Sequence, residues 1–359
     1  MTVDVTPFEL ALREPLSTAR GEIDRRRGFV VRETFGGVDE GDVSTGSDSV
    51  EGVGEATPLP GWTESFGDCR RALDAVDDLD AALGAGLGDT PAARHAVSLA
   101  LFDARARSAD ESLGRFLAGP NAPVARTVPV NATVGDGGVE ETARAVRDAA
   151  DAGYDCAKVK VGVGAVDRDV DRLAAAQETA PEIALRADAN GAWSRGEAEA
   201  FADGLTGQGV PLDYLEQPLP ADALDAHAEL REAVGVRIAV DETLAAASVD
   251  AVLDREAADV LVLKPMALGG PDRALAAADR ASEAGVETVV TTTIDAVVAR
   301  TAAVHVAAAL GDPPACGLGT AELLARDLAP DPAPVVGGRV AVPDGSGIAG
   351  DAFATLDTD

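Results

Sequence analysis

The chain of 359 residues is 46% hydrophobic and 3% aromatic, and its 30 basic residues face 62 acidic ones for a formal charge of −32. That length allows one large domain or two ordinary ones, each with enough apolar residues for a core. So acidic a surface repels nucleic acid and anionic membranes, and no run is apolar over the length of a membrane span.

The acids are spread through the sequence rather than gathered in a tail. With the shortage of lysine and aromatics, they read as adaptation to high cytoplasmic salt, where an acidic shell stays hydrated. The opening Met1-Thr2-Val3-Asp4-Val5 has neither the basic nor the apolar region of a signal peptide. Cys69, Cys156 and Cys316 are odd in number and far apart, which fits a reducing cytoplasm better than a disulfide framework.

In chain order, Val3–Leu12 and Gly28–Thr34 alternate like antiparallel strands, and the Gly/Ser/Asp-rich stretch 36–54 reads as an acidic loop inside a hairpin. Two helices are expected next, Glu64–Leu83 and Pro91–Ala109, the second with Thr90-Pro91 as its N-cap and N1 pair. Residues 1–125 thus read as an α+β domain. From Val128 the pattern becomes strand, helix, strand, helix. Strands are expected at Val128–Val134, Cys156–Val161, Ile183–Ala187, Leu212–Leu215, Ile238–Val240, Val260–Leu263 and Glu287–Thr292, with a short eighth at Cys316–Leu318. Eight alternations over residues 126–320 predict a (β/α)8 barrel. A doubly wound open sheet is the competitor, but it usually opens with a glycine-rich nucleotide loop, and none is found. Residues 321–359, with a strand candidate at Arg339–Val342, are expected to return to the N-terminal domain.

Only three lysines occur, Lys158, Lys160 and Lys264, and all lie in apolar, strand-like runs. An ammonium there costs desolvation energy unless it is paired or used. In the barrel half, charges stand where apolar strands end. Lys158 and Lys160 end the second strand, Asp188 the third, Glu216 the fourth, Asp241 the fifth and Lys264 the sixth. Steps of 23 to 28 residues between them match one strand–helix unit each, so all project from the C-terminal rim where barrel enzymes keep their sites. Three carboxylates on adjacent strands form a hard oxygen donor set that favours Mg2+, with Mn2+ as a substitute, over zinc. The only histidines, at 95, 227 and 305, fall in helical patterns. A lone acid ending a strand is usually a cap or an ion-pair partner. That reading does not account for five charged strand ends in register.

Taken as a set, Lys158-x-Lys160, Asp188-Ala-Asn190, Glu216-Gln-Pro218, Asp241-Glu242 and Lys264-Pro265 resemble the enolase superfamily, muconate-lactonizing subgroup. The likeness covers nearly the whole chain, because the N-terminal α+β domain, completed by the C-terminal segment, resembles that family's capping domain. Gly52-Val-Gly54-Glu55 with Pro58-Leu-Pro60-Gly61, Lys264-Pro265 with Gly269-Gly270, and Thr291-Thr-Thr-Ile-Asp295 are most similar to its o-succinylbenzoate synthase family. The resemblance implies dehydration of a small-molecule carboxylate to an aromatic product in menaquinone biosynthesis. It implies Lys160 as base and then acid, Lys264 as a facing cation that steadies the ring or enolate, and Lys158 as an electrostatic aid. Asp188, Glu216 and Asp241 would hold Mg2+.

Thr18, Arg20, Pro60, Asn190, Thr292 and Thr293 are the candidate substrate contacts. Arg20 either grips a carboxylate or is a solvated neighbour of Arg25-Arg26-Arg27. Arg186 is expected one layer below Asp188, orienting carboxylates from behind or neutralising buried acids. Departures from the family are the threonines and Asp295 after the seventh strand, an acidic insertion at 36–52, and Gly317-Leu-Gly319 where dipeptide epimerases carry Asp-x-Asp. An N-acylamino acid racemase or cycloisomerase using both lysines is the alternative. An inactive barrel acting as a binding protein is the reading from another class.

Overall fold

The computed structural model describes residues 3–18, 21–35 and 49–358. Strands β1 (Asp4–Thr18), β2 (Gly21–Phe35) and β3 (Val50–Ala56) form an antiparallel sheet in that order. The register of β1 on β2 slips between Ala11 and Leu16, so β1 runs past the expected end at Leu12. Of the expected acidic loop, residues 36–48 lie outside the described residues, whereas Val50–Ala56 is strand rather than loop. Its glycines have a packing reason. A Cβ on Gly52 would lie 2.1 Å from the Ala100 carbonyl oxygen, and one on Gly54 would lie 2.0 Å from that of Ala96. This strand therefore rests backbone-to-backbone on the helix Pro91–Ser108.

The single helix expected over Glu64–Leu83 is two, Phe66–Leu73 and Leu79–Ala85. Asp78 interrupts it because its carboxylate accepts the Ala81 N–H and starts a new helix. Pro91 opens the next helix, as its fixed φ favours, but Thr90 provides no side-chain cap. Its hydroxyl donates to the Leu87 carbonyl instead, and Glu64 accepts the Ala92 and Ala93 N–H groups at 3.0 and 2.9 Å.

The expected first barrel strand splits into β4 (Thr127–Pro129) and β5 (Ala132–Val134). After it come β6 (Cys156–Lys160), β7 (Ala184–Asp188), β8 (Leu215–Glu216), β9 (Ile238–Val240), β10 (Val260–Leu263) and β11 (Glu287–Val290). Strands β5 to β11 form one parallel sheet in chain order. The eighth position is a seam of two residues. Cys316 bridges Val130 and Gly317 bridges Thr291, which joins the two edges of the sheet and closes the barrel. Helices such as Val139–Asp151, Val166–Thr179 and Pro271–Glu283 separate the strands.

After the barrel, β12 (Val335–Val336) and β13 (Arg339–Ala341) make a small sheet with β4. The strand candidate at 339–342 therefore pairs with a strand at the start of the barrel half, not with the capping sheet. Contacts with the cap come from the flanking segments: Leu324 bridges Leu12, and Gly347 bridges Ser112. One apolar cluster, including Phe8, Leu10, Val297, Val298 and Phe353, ties cap, barrel helix and C-terminal segment together. No helix among the described residues is long and apolar enough to cross a membrane.

Candidate active site

The ladder places the charged strand ends side by side. Lys160 is the register partner of Asp188, and Asp188 of Glu216. Asp241 and Lys264 each follow the last residue of their strands, β9 and β10. Burial on both faces keeps these strands mostly apolar, so an interior charge such as Lys158 or Arg186 needs a partner of its own.

Each of the three lysines pairs with at least one of the three carboxylates. Lys158 Nζ lies 2.7 Å from Glu216 Oε1 and 3.0 Å from Asp188 Oδ2. Lys160 Nζ donates to Asp188 Oδ2 at 2.6 Å and to Asn190 Oδ1 at 2.9 Å. Lys264 Nζ donates to Asp241 Oδ2 at 2.7 Å. Asp188, Glu216 and Asp241 are buried.

Burial alone would raise the Asp188 carboxyl, but the Lys158 and Lys160 ammoniums hold it well below the usual carboxylate range. Burial, with Asp188 beside it, pushes Glu216 up to about 7. Burial also opposes charge on Lys158, yet Asp188 and Glu216 outweigh it and keep its pKa well above the ordinary lysine value. Desolvation therefore does not make Lys158 a neutral amine here.

No three His, Cys, Asp or Glu side chains among the described residues converge as a ready metal cage, because each carboxylate leans on a lysine. Glu216 Oε2, Asp241 Oδ1 and Glu242 Oε2 are nevertheless buried without a hydrogen-bond partner. Buried carboxylate oxygens are costly without a partner, and an oxygen-only set from adjacent strands suits a hard divalent cation. The residues fit Mg2+.

A family model described as "Enolase C-terminal domain-like" matches residues 141–351. The chain belongs to this enolase-like family. Over 216 residues it is 42% identical to an o-succinylbenzoate synthase of Thermobifida fusca (strain YX), a stretch covering 59% of this chain and 65% of that one. Over 221 residues it is 42% identical to the o-succinylbenzoate synthase of Mycobacterium tuberculosis (strain ATCC 25618 / H37Rv), covering 60% and 64% of the two chains. The match thus spans a little under two thirds of these relatives' length. The L-Ala-D/L-Glu epimerase of Bacillus subtilis shares the enolase-like fold with a TM-score of 0.83 at 24% identity, covering 97% of this chain and 98% of its own. A dipeptide epimerase of Methylococcus capsulatus, solved with Mg and a dipeptide, has a TM-score of 0.81 at 25% identity over 97% and 98% of the two chains.

The other expected contacts are placed unevenly in this enolase-like chain. Asn190 stands at the centre, accepting from Lys160 and donating to Glu242 Oε1 at 2.9 Å, with a left-handed φ of 46°. Thr292 is hydrogen-bonded to Thr320 at 2.9 Å, and Thr293 donates to Asp295, so local partners hold both hydroxyls. Pro60 is exposed on its turn, and Trp62 is the residue that reaches the site. Thr18 ends β1 and pairs with Gly21, but its side chain and all of Arg20 lie outside the described residues. Arg186 does not back the carboxylates. It donates to Asp213 Oδ2 at 2.8 Å and to the Ala315 carbonyl at 2.6 Å, with its guanidinium 4.5 Å from the Tyr214 ring centre.

Three supporting residues escaped the sequence reading. Gln217 is fully buried, and its Oε1 accepts the N–H groups of Asp241 and Thr243 at 2.9 and 3.0 Å. It fixes where the fifth strand ends. Glu242 holds Asn190 and brings a fourth carboxylate to the rim. Arg26 is buried between exposed Arg25 and Arg27, and it donates to the carbonyls of Thr57, Pro58 and Ile294. Strand alternation was the available signal, since the middle arginine of three must face inward when its neighbours face out.

Proposed function

We propose that this chain is a Mg2+-dependent o-succinylbenzoate synthase, a carbon–oxygen lyase that dehydrates a hydroxycyclohexadiene carboxylate in menaquinone biosynthesis. The reading assigns residues 1–125 to a capping domain, 126–320 to the catalytic barrel and 321–359 to a returning segment. The observation that carries it is the Lys160 ammonium at the carboxylate rim. Its side chain is 35% exposed, against 16% for Lys158 and 10% for Lys264, so it is the lysine most open to an incoming acid. The two curated relatives above carry the same activity in their names.

In this mechanism Lys160 takes the proton from the carbon beside the substrate carboxylate. Hydroxide then leaves the neighbouring carbon, the proton on Lys160 goes with it as water, and the ring becomes aromatic. A divalent cation held by Asp188, Glu216 and Asp241, Mg2+ or Mn2+ in its place, supplies stabilisation of the negative charge on the substrate carboxylate. Asn190 accepts a hydrogen bond from Lys160, and Lys158 adds positive charge between two carboxylates. The assay is conversion of the hydroxycyclohexadiene carboxylate to o-succinylbenzoate in Mg2+ and high salt. Lys160→Ala should lower the rate by roughly 10² to 10⁴. Absence of turnover by the parent protein sinks the reading.

One observation favours a second reading, an N-acylamino acid racemase or cycloisomerase. In the sheet, β7, β8 and β9 separate Lys160 from Lys264, so the two lysines stand on different walls of the barrel. Two bases on opposite sides of one carbon are what 1,1-proton transfer requires. Dipeptide epimerisation is disfavoured separately. A Cβ at Gly317 would lie 2.5 Å from Thr291 Oγ1, so an aspartate at that position would require Thr291 to shift. A pure binding protein would leave the orphaned carboxylate oxygens and the paired lysines without a purpose.

A further inference from the structure

Lys264 is held by a carboxylate and also lies against an aromatic ring. Its ammonium donates to Asp241 Oδ2 at 2.7 Å, and the Trp62 indole lies over it with the ring centre 3.2 Å from Nζ. Trp62 comes from the capping domain, in the turn after β3, whereas Lys264 belongs to the barrel. The turn is not a loose flap. The N–H groups of Trp62 and Thr63 both donate to the Leu59 carbonyl at 2.9 Å, and Leu59 N–H donates to Thr63 Oγ1 at 2.8 Å. Arg26 ties the start of this turn to the barrel, donating to Thr57 O at 2.7 Å and to Ile294 O at 3.1 Å.

A fixed positive charge acts across a distance, but proton transfer needs the base within hydrogen-bond reach of the carbon. We infer that Trp62 is a specificity-determining residue: its ring covers Lys264, lets that lysine act only as a through-space cation, and confines proton transfer to Lys160. The inference rests on the proposed reading that the two lysines bracket one carboxylate substrate. It separates one-base chemistry from the two-base racemase, and the separating residue lies outside the lysine and carboxylate motifs.

Two measurements test it without the dehydration substrate, so its failure is distinct from failure of the synthase reading. The first is indole emission. Trp193, the only other tryptophan, is buried against Phe201 at 4.7 Å and supplies a constant background. Lys264→Met removes the charge at similar length and should shift the Trp62 emission, with circular dichroism confirming the fold. The second uses N-succinyl-L-phenylalanine and its D enantiomer with Mg2+ in deuterated water, followed by proton NMR. The parent protein should exchange the α-proton of one enantiomer only. Trp62→Ala should raise exchange of the other roughly a hundredfold, and Trp62→Phe, which keeps a ring face, should behave as the parent. An unshifted emission, comparable exchange of both enantiomers by the parent, or no gain in Trp62→Ala overturns the inference.

Discussion

Gln217 shows how a neutral side chain can matter as much as the charged ones it supports. Its amide spans the loops after β8 and β9, accepting two backbone N–H groups and donating to Leu219 O and Thr243 Oγ1 at 2.9 Å each. Its own φ is 41°, a left-handed conformation that the surrounding bonds enforce. Gln217→Ala leaves buried donors unpaired and should cost roughly 3 kcal/mol in urea unfolding, with Mg2+ binding weakened as well. A variant as stable as the parent would show that these bonds are made elsewhere. Lysines and acids were legible in the sequence because a charge ending an apolar run needs an explanation. Gln217 sits inside Glu216-Gln-Pro218 and carries no such signal, and Arg26, inside a run of three arginines, is marked only by strand alternation, which gives its inward face but not its partners. Their roles depend on what faces them from other strands, which periodicity along one strand does not encode.

Among elements, the helix Val297–Ala309 illustrates a cap supplied by a distant segment. Its N-cap residue, Ala296, has no side-chain acceptor, and Glu55 of β3 accepts the N–H groups of Ala296 and Ala299 at 2.8 Å each. Burial, with Asp295 close by, pushes the Glu55 carboxyl from 4.5 up to about 7. Because the folded value is the raised one, the folded state binds more protons between these limits. The contribution of Glu55 is therefore full below about pH 4.5 and is lost as pH rises through about 7. The whole shift corresponds to on the order of 3 kcal/mol. The stability difference between the parent and Glu55→Gln, read by thermal unfolding, should shrink by up to that amount over this range, and a constant difference would contradict it.

The helix Pro91–Ser108 makes the same point in a simpler way. Glu64→Ala should cost about 1 kcal/mol in urea unfolding, whereas Thr90→Ala should cost less, because Thr90 makes no cap bond. The sequence placed a helix start at Pro91 correctly from proline geometry. It assigned the cap to the neighbouring threonine because a capping residue from elsewhere in the chain leaves no local trace. The split near Asp78 was missed for a related reason: apolar spacing continues through the break, and only the side-chain bond of Asp78 reveals it.

At the scale of the molecule, the alternation of strands and helices made the barrel legible, together with most strand positions. The edges were less so. The first strand divides because β4 is drawn into a sheet with the C-terminal β12 and β13, and the eighth shrinks to a two-residue seam. Both depend on segments about 200 residues apart, beyond any local pattern. The net charge of −32 acts on the whole chain at once. Self-repulsion should fall as the Debye length shortens from about 10 Å at 0.1 M salt to about 3 Å at 1 M. The thermal midpoint should therefore rise with KCl over that range, and a flat or falling midpoint would argue against charge repulsion as a main destabilising force.

The placement of the lysines also gives the protein an unusual chemical handle. Apart from the α-amino group, every primary amine in the chain belongs to Lys158, Lys160 or Lys264. Most proteins of this size offer an acylating reagent many irrelevant targets on the surface. Here the reagent can modify side-chain amines only within the carboxylate cluster, and exposure favours Lys160 first. Mass spectrometry after brief treatment with an amine-selective ester thus becomes a direct count of accessible site lysines. Any ligand that seals the rim would announce itself as a missing mass increment.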